Sequence, residues 1–383
     1  MSNGLKKLVL LAAAAFAAAC FGGLLAPRGL SQGGPNNVLS DWRPARDAGG
    51  IGYVGNKACA ECHAYQASTF SETPMANASR AAADCEILAA HPRLAFREGP
   101  YSYEIARRGR QSVYTVSDGA GTISEPLLYC FGSGVAGQTY IFRHGGSLYE
   151  SRVSYFQKLR GLGLTILHPR EVPKSLAEAV GRRMSEEGAR GCFSCHTTAA
   201  VNGSRLQLER LAGGVGCEAC HGPGERHVAA VRAGNFKSLQ IFNPAKLDAL
   251  DLMQEFCATC HVSFEEVSHM PELGGANNIR FQPYRIFKSR GHLLDDRRIS
   301  CTACHDPHDK LRHEAAFYDA KCTACHLNGP REARTPARAA APCPVSTRQC
   351  VTCHMPKVEL PEMHFKFTDH WIRTPKTGEP TPR

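Results

Sequence analysis

Fourteen of the 18 cysteines in this 383-residue chain fall into seven copies of one pentapeptide, Cys-x-x-Cys-His. The copies are Cys59, Cys62 and His63; Cys192, Cys195 and His196; Cys217, Cys220 and His221; Cys257, Cys260 and His261; Cys301, Cys304 and His305; Cys322, Cys325 and His326; and Cys350, Cys353 and His354. A random chain of this composition would hold about 0.04 copies, so the repeat is not a by-product of cysteine content. Two thiols three residues apart share one face of a helical turn, and the imidazole that follows reaches the space beside them. That arrangement suits covalent attachment of a haem through its two vinyl groups, with the histidine on the iron. Paired cysteines also build zinc ribbons and thioredoxin-like redox sites, but neither chemistry requires a histidine after every second cysteine.

Each haem iron has a second axial position. Ten histidines lie outside the motifs, enough for mostly bis-histidine irons, which leave no position for a substrate and favour electron transfer. In Cys304-His305-Asp306-Pro307-His308 the rigid proline turns His308 away from its own haem toward a neighbour. The longer loop His221-Gly222-Pro223-Gly224-Glu225-Arg226-His227 does the same for His227. His168 beside Pro169, His292 beside Gly291, and His364 and His370 after the last motif complete the candidate distal ligands. His91, His144, His269 and His313 sit in polar, turn-like contexts and read as surface residues. Met75, 12 residues after His63, is a candidate thioether ligand that would raise one haem's potential; the plainer reading is apolar filler.

Something must position these groups, and the chain between them is short. From Cys192 to His354 six motifs leave roughly 27 residues per haem, too little to build an apolar core around each. The expected fold is therefore a mostly α and irregular multihaem core in which the haems are the core. Motifs one and two start 133 residues apart, and that gap carries a different pattern. Tyr101, Tyr103 and Ile105 alternate with polar residues, Asp118-Gly119 signals a hairpin, and strand-like runs continue to Ser154, so a small antiparallel β subdomain is expected over 92–160. Around it the reading places a signal or anchor at 1–26, a linker at 27–50, a first haem-binding segment at 51–91, a six-haem domain at 161–374 and a frayed tail at 375–383. Ser175 with Glu178 forms a capping box, and Ser185 caps the helix running into Cys192.

Lys6 and Lys7 precede an uncharged apolar run, the layout of an export signal, so the expected location is the periplasm or the outer face of the cytoplasmic membrane. Uncleaved, residues 8–26 are long enough to tether the chain in a bilayer, and Cys20 is a candidate for lipid modification, although Ala17 stands where a lipoprotein signal normally has leucine. A 43% hydrophobic composition with 45 basic and 35 acidic residues excludes a disordered or polytopic membrane protein. The net charge of +10 is scattered without a basic stripe, which argues against nucleic acid. The surplus lysines and arginines suit haem propionates, which would bring the loaded protein close to neutral. Of the remaining cysteines, Cys343 has no assigned role, and a Cys85 to Cys130 disulfide across the β insert would add about 3 to 4 kcal/mol.

The stretches Tyr53 to His63, Gly216 to Gly224, Cys301 to His308, and Cys350 to Lys357 with Phe367-Thr368-Asp369-His370 resemble the cytochrome c-552/c-554-type multihaem cytochromes. That family is related to octahaem hydroxylamine oxidoreductase and the multihaem nitrite reductases. The resemblance runs over roughly 51 to 374 and is weak in the β insert. It implies stacked or edge-to-edge haem pairs passing electrons in the periplasm, with distal ligation by His227 and His308. Two departures matter. Met75 stands where the family commonly has a histidine after the first motif, and the Cys-x-x-Cys-Lys site of the nitrite reductases is absent. The expected function is a seven-haem electron carrier between redox partners, such as a quinol-oxidising membrane complex, other cytochromes or a terminal reductase. The alternative is an oxidoreductase with one open haem, the motif-one haem being the natural place, acting on a small nitrogen or sulfur compound. No catalytic residue is assigned.

Overall fold

The structure is a computed structural model that describes residues 52–269, 275–289, 298–326 and 343–374. The export-type segment with Cys20, the C-terminal tail and His292 lie outside the described residues. Among the described residues, no helix is long and apolar enough to cross a membrane.

A large antiparallel sheet dominates the first half, so the fold is not mostly α as the motif density suggested. Its ten strands are β1 (Ser79–Ala81), β2 (Arg93–Glu98), β3 (Tyr101–Arg108), β4 (Gln111–Ser117), β5 (Thr122–Phe131), β6 (Gly137–His144), β7 (Ser147–Ser151), β8 (Val153–Phe156), β9 (Gly161–Leu164) and β10 (Gly181–Arg183). The main path runs β10-β7-β6-β5-β4-β3-β2, with β1 on β5 and β8 between β6 and β9. Because β9 also lies against β2, strands β2 to β6 with β8 and β9 curl toward a closed barrel. Alternation drives this. Tyr101, Tyr103 and Ile105 of β3 and Tyr114 and Val116 of β4 point inward, joining Tyr140, Phe142, Val153 and Tyr155 in one core. The hairpin at Asp118 closes as its residues suggest, with Asp118 Oδ1 accepting from the Ala120 and Gly121 amides at 2.9 and 2.7 Å.

The sheet runs from Ser79 to Arg183, wider than the expected 92–160 insert. Besides β9, which starts at Gly161, the added strands are the three-residue edges β1 and β10, whose pairing, Arg80 opposite Cys130 and Arg182 opposite Glu150, is set by partners distant in sequence. Too short to alternate, they carry no local signal. Cys85 and Cys130 meet here, both buried and both thiols, within hydrogen-bonding reach of each other. Cys85 Sγ also donates to Gln138 Oε1 at 2.9 Å.

Beyond the sheet the described chain is short helices, turns and three small two-stranded pairs, such as Lys357–Leu360 with Phe365–Thr368. Ser175 Oγ accepts from Glu178 N at 3.3 Å, and Ser185 Oγ caps the helix Glu186–His196 through Gly188 N at 3.0 Å. That helix docks on the sheet through Phe193, edge-on to Phe131 and Tyr129 with ring centres 4.9 and 5.4 Å away. Farther along, apolar clusters shrink to a few residues, such as Ile279 with Val358 and Leu360.

One glycine decides how the first motif meets the third. Gly214 has φ +72°, and a Cβ there would stand 1.9 Å from the Ala76 carbonyl oxygen. The close approach lets Val215 N donate to Met75 O at 3.0 Å. Gly214→Ala is expected to lower stability by about 2 kcal/mol or more, from left-handed strain plus that clash, as read by chemical denaturation.

Candidate haem-binding cavity

The small clusters leave room for one continuous cavity of about 3240 Å³. Ordinary small-molecule pockets are about 300–1,000 Å³, so this space exceeds any single ligand of that kind. Six motifs line it with both cysteines and the histidine, and motif two through Cys195 and His196, Cys192 packing instead in the cluster around Phe193.

Most motifs form the one-turn helices their spacing requires. Cys217–His221, Cys301–Cys304 and Cys350–His354 are single turns, while Cys192 to His196 and Cys322 to His326 end longer helices. In motif four a π-helical segment, Asp251–Cys257, runs into Ala258–His261. In motif one, the amides of Cys62 and His63 turn back onto the Cys59 carbonyl at 3.3 and 2.9 Å. The motif-three helix ends at Gly222, whose φ of +75° releases the chain into the Pro223 loop.

Helices this short have no caps of their own, and neighbouring motifs supply them. Glu218, inside motif three, accepts from the amides of Val54 and Gly55 at 2.8 and 2.7 Å, at the start of the motif-one helix Gly55–Ala60, and from Gly224 at 2.7 Å. Asn56 Oδ1 returns the contact by accepting from Cys217 N at 2.9 Å. In the same way Asp319, on the motif-six helix Ala315–His326, accepts from the amides of Gln349 and Cys350 at 2.8 Å each, at the start of motif seven.

These caps belong to a connected series. Motif helices one and three touch, with Cys59 and Cys217 thiols within hydrogen-bonding reach. Motifs two and four meet through Cys195 and Cys260, four and five through Cys257 and Cys301, and six and seven through Cys322 and Cys350. The helices of motifs five and six also touch, and Cys220 of motif three stands beside Cys257 and Cys260 of motif four.

Among the described residues, three motif histidines face a second imidazole. The ring centres of His63 and His227 are 6.4 Å apart, those of His221 and His308 6.0 Å, and those of His305 and His370 6.3 Å. Two imidazoles bound trans to one metal, with metal–nitrogen bonds of about 2.0–2.1 Å, have ring centres about 6.4 Å apart. All three separations match that spacing. The tautomers agree. Nδ1 of His221, His227, His354 and His370 faces the carbonyls of Phe242, Leu239, Arg373 and Thr368 at 3.0, 2.7, 2.6 and 3.0 Å, and Nδ1 of His196 faces that of Ala78 at 3.2 Å. A carbonyl only accepts, so Nδ1 carries the proton and Nε2 is left as the ligating atom. Burial pushes the imidazoles of His196, His221, His261 and His305 below their ordinary pKa and that of His370 down to about 4, keeping them in the neutral form that binds metal.

The cavity therefore fits covalently held haem, and it sorts the candidate ligands. His227, His308 and His370 line it opposite motif histidines. Met75 also lines it, but the imidazole facing His63 is His227. His364 lies edge-on to Phe156 of the sheet, 4.9 Å between ring centres, away from the cavity lining. His168 is not brought to the cavity. It is buried in the sheet with Nε2 3.1 Å from Glu150 Oε2. Burial pushes the Glu150 carboxyl up, but the hydrogen bond from His168 and the charge of Arg182 hold it below its ordinary value. His168→Ala is expected to leave the visible and electron paramagnetic resonance spectra of the holoprotein unchanged. Its stability falls by about 1–3 kcal/mol, because Glu150 loses a buried partner.

Sequence reasoning missed other groups at or beside the cavity. His313, read as a surface residue, is exposed and also borders the cavity, which the sequence did not indicate. Glu218 and Asp369, both buried carboxylates, gave no local signal because their partners are distant in sequence.

The family described as cytochrome c554 and c-prime matches residues 167–222, the stretch that holds motifs two and three. The multiheme cytochrome MtrA of Shewanella baltica (strain OS185) is 24% identical over 206 residues, covering 51% of this chain and 52% of that protein. The chain thus spans about half the length of this curated relative. The solved structure of the outer cell wall cytochrome OcwA overlaps 84% of this chain and 79% of its own, with a TM-score of 0.46 and 15% identity. Seven Cys-x-x-Cys-His motifs around one cavity, imidazoles paired at iron-binding distance, the family match over motifs two and three and the likeness to MtrA together support one reading of the chain, a multihaem c-type cytochrome.

Proposed function

We propose that the chain carries seven haems, one per motif, and relays electrons between redox proteins outside the cytoplasm. The observation that supports this most is the series of adjacent motifs around one continuous cavity. It gives a path through motifs one, three, four, five, six and seven, with motif two as a branch from motif four. Bound haem supplies the one-electron couple. The protein holds neighbouring sites close together, pins the imidazoles of His196, His221, His227, His354 and His370 by Nδ1–H to backbone carbonyls and buries several of them, which together set potentials. The export-type segment supports a periplasmic or outer-face location, and a quinol-oxidising membrane complex, another cytochrome or a terminal reductase suits such a relay as partner. A link to the hydroxylamine oxidoreductase group rests on the motif resemblance.

The open-haem reading shifts its location. His227 opposite His63 argues against motif one, whereas among the described residues no imidazole stands at ligand-pair spacing from His196, His261, His326 or His354. Pyridine haemochrome assay with protein quantitation tests the main reading. Seven haems per chain with low-spin spectra is the expected result, and a count well below seven ends it; a high-spin ferric signal with turnover of nitrite or hydroxylamine would favour the enzyme.

A further inference from the structure

We propose that the buried ion cluster of Arg285, Asp369 and Arg373 is a positioning device shared by two haem sites, holding the distal ligand of motif five and the hydrogen-bond acceptor of the motif-seven histidine in one rigid turn. The inference rests on haem occupancy of those two motifs.

The turn covers residues 369–373 and has no regular secondary structure of its own. Asp369 is fully buried. Its carboxylate accepts from Arg285 Nε and Nη2 at 2.8 Å each, from Arg373 Nη1 at 3.0 Å and from the Trp371 amide at 2.9 Å. Arg285 is buried as well, spends its remaining Nη1 on Asn278 Oδ1 at 3.0 Å and stands over the Trp371 ring. A buried ion pair is weak as a source of stability but is known to fix register, and two haem groups depend on the register here. His370, next to Asp369, has its ring centre 6.3 Å from that of His305. Its carbonyl accepts from Ser289 Oγ at 3.3 Å, and Ser289 Oγ in turn accepts from Ile372 N at 2.8 Å. Three residues past His370, the Arg373 carbonyl accepts from His354 Nδ1 at 2.6 Å, and Arg373 N donates to the His354 carbonyl at 3.4 Å. The carboxylate grips the turn at both ends, so moving it moves both sites.

The cluster also holds two guanidinium charges against one carboxylate in a buried setting, where charge acts strongly. Removing the carboxylate therefore disfavours the ferric irons, and removing one guanidinium favours them. The test uses full-length holoprotein of Asp369→Asn and Arg373→Gln, potentiometric titration followed optically, and electron paramagnetic resonance. His370→Met marks the step of motif five and His308→Met that of motif three. With haem content unchanged, Asp369→Asn should move two steps, motif five among them, to more positive potential. Arg373→Gln should move the same two to more negative potential, and the motif-three step should stay.

Steps that stay, shift together or move in the same direction in both variants overturn the proposal. If Asp369→Asn yields no folded protein, Arg373→Gln decides alone, since it leaves the Arg285–Asp369 pair intact. A wild-type protein lacking haem at motif five or seven would instead refute the underlying seven-haem reading.

Discussion

His308→Ala should convert one low-spin haem into a high-spin haem and leave the others unchanged. His221 and His308 are the closest and most nearly parallel of the three imidazole pairs, 6.0 Å between centres and 14° between planes. The His308 loop is fixed by an Asx turn, His308 N donating to Asp306 Oδ1 at 2.8 Å, so the imidazole is presented by rigid backbone. The affected haem is that of motif three, not motif five to which His308 is adjacent in sequence. A high-spin ferric signal at low temperature, together with new binding of a small ligand such as cyanide, is the measurement. His308→Met should restore a low-spin iron and raise the potential of that step, because thioether ligation favours the ferrous state. His269→Ala is the control. Its Nδ1 bonds back to the Glu265 carbonyl of its own helix at 2.9 Å, so its loss should leave all spectra as they were.

The largest effect on stability is expected from Glu218→Ala. Three backbone amides, those of Val54, Gly55 and Gly224, end on this buried carboxylate. Each buried donor left unpaired costs about 1–3 kcal/mol, so the loss should be about 3–5 kcal/mol. That is a large share of the roughly 5–15 kcal/mol that holds a domain together. The damage should be directional. Motif one is held to motif three by this side chain and by Asn56, so the haem at Cys59 and Cys62 should be the first to be lost or poorly attached. Thermal unfolding and a haem count on purified protein check both parts; Glu218→Gln, which keeps one carbonyl oxygen, should fall between the variant and the parent.

The Tyr101 to Ile105 alternation, the Asp118 hairpin and the Ser175 and Ser185 caps could be read directly, because each involves residues a few positions apart. So could the attachment chemistry, since two thiols and an imidazole within five residues define it wherever the turn is placed. The edge strands at Ser79–Ala81 and Gly181–Arg183 could not, being too short to show a period. Nor could the fate of His168. Its proline neighbour resembles that of His308, yet it pairs with a sheet carboxylate, and only the fold brings Glu150 there.

By itself, then, the sequence determined what the chain binds and that it must be built around those groups, because local spacing sets local chemistry. Only the tertiary structure decided which motif neighbours which, which histidine faces which, and that Glu218, Asp319 and Asp369 hold the sites together. Those relations join residues 30 to more than 160 positions apart, and no local pattern encodes a partner that only folding brings within 3 Å.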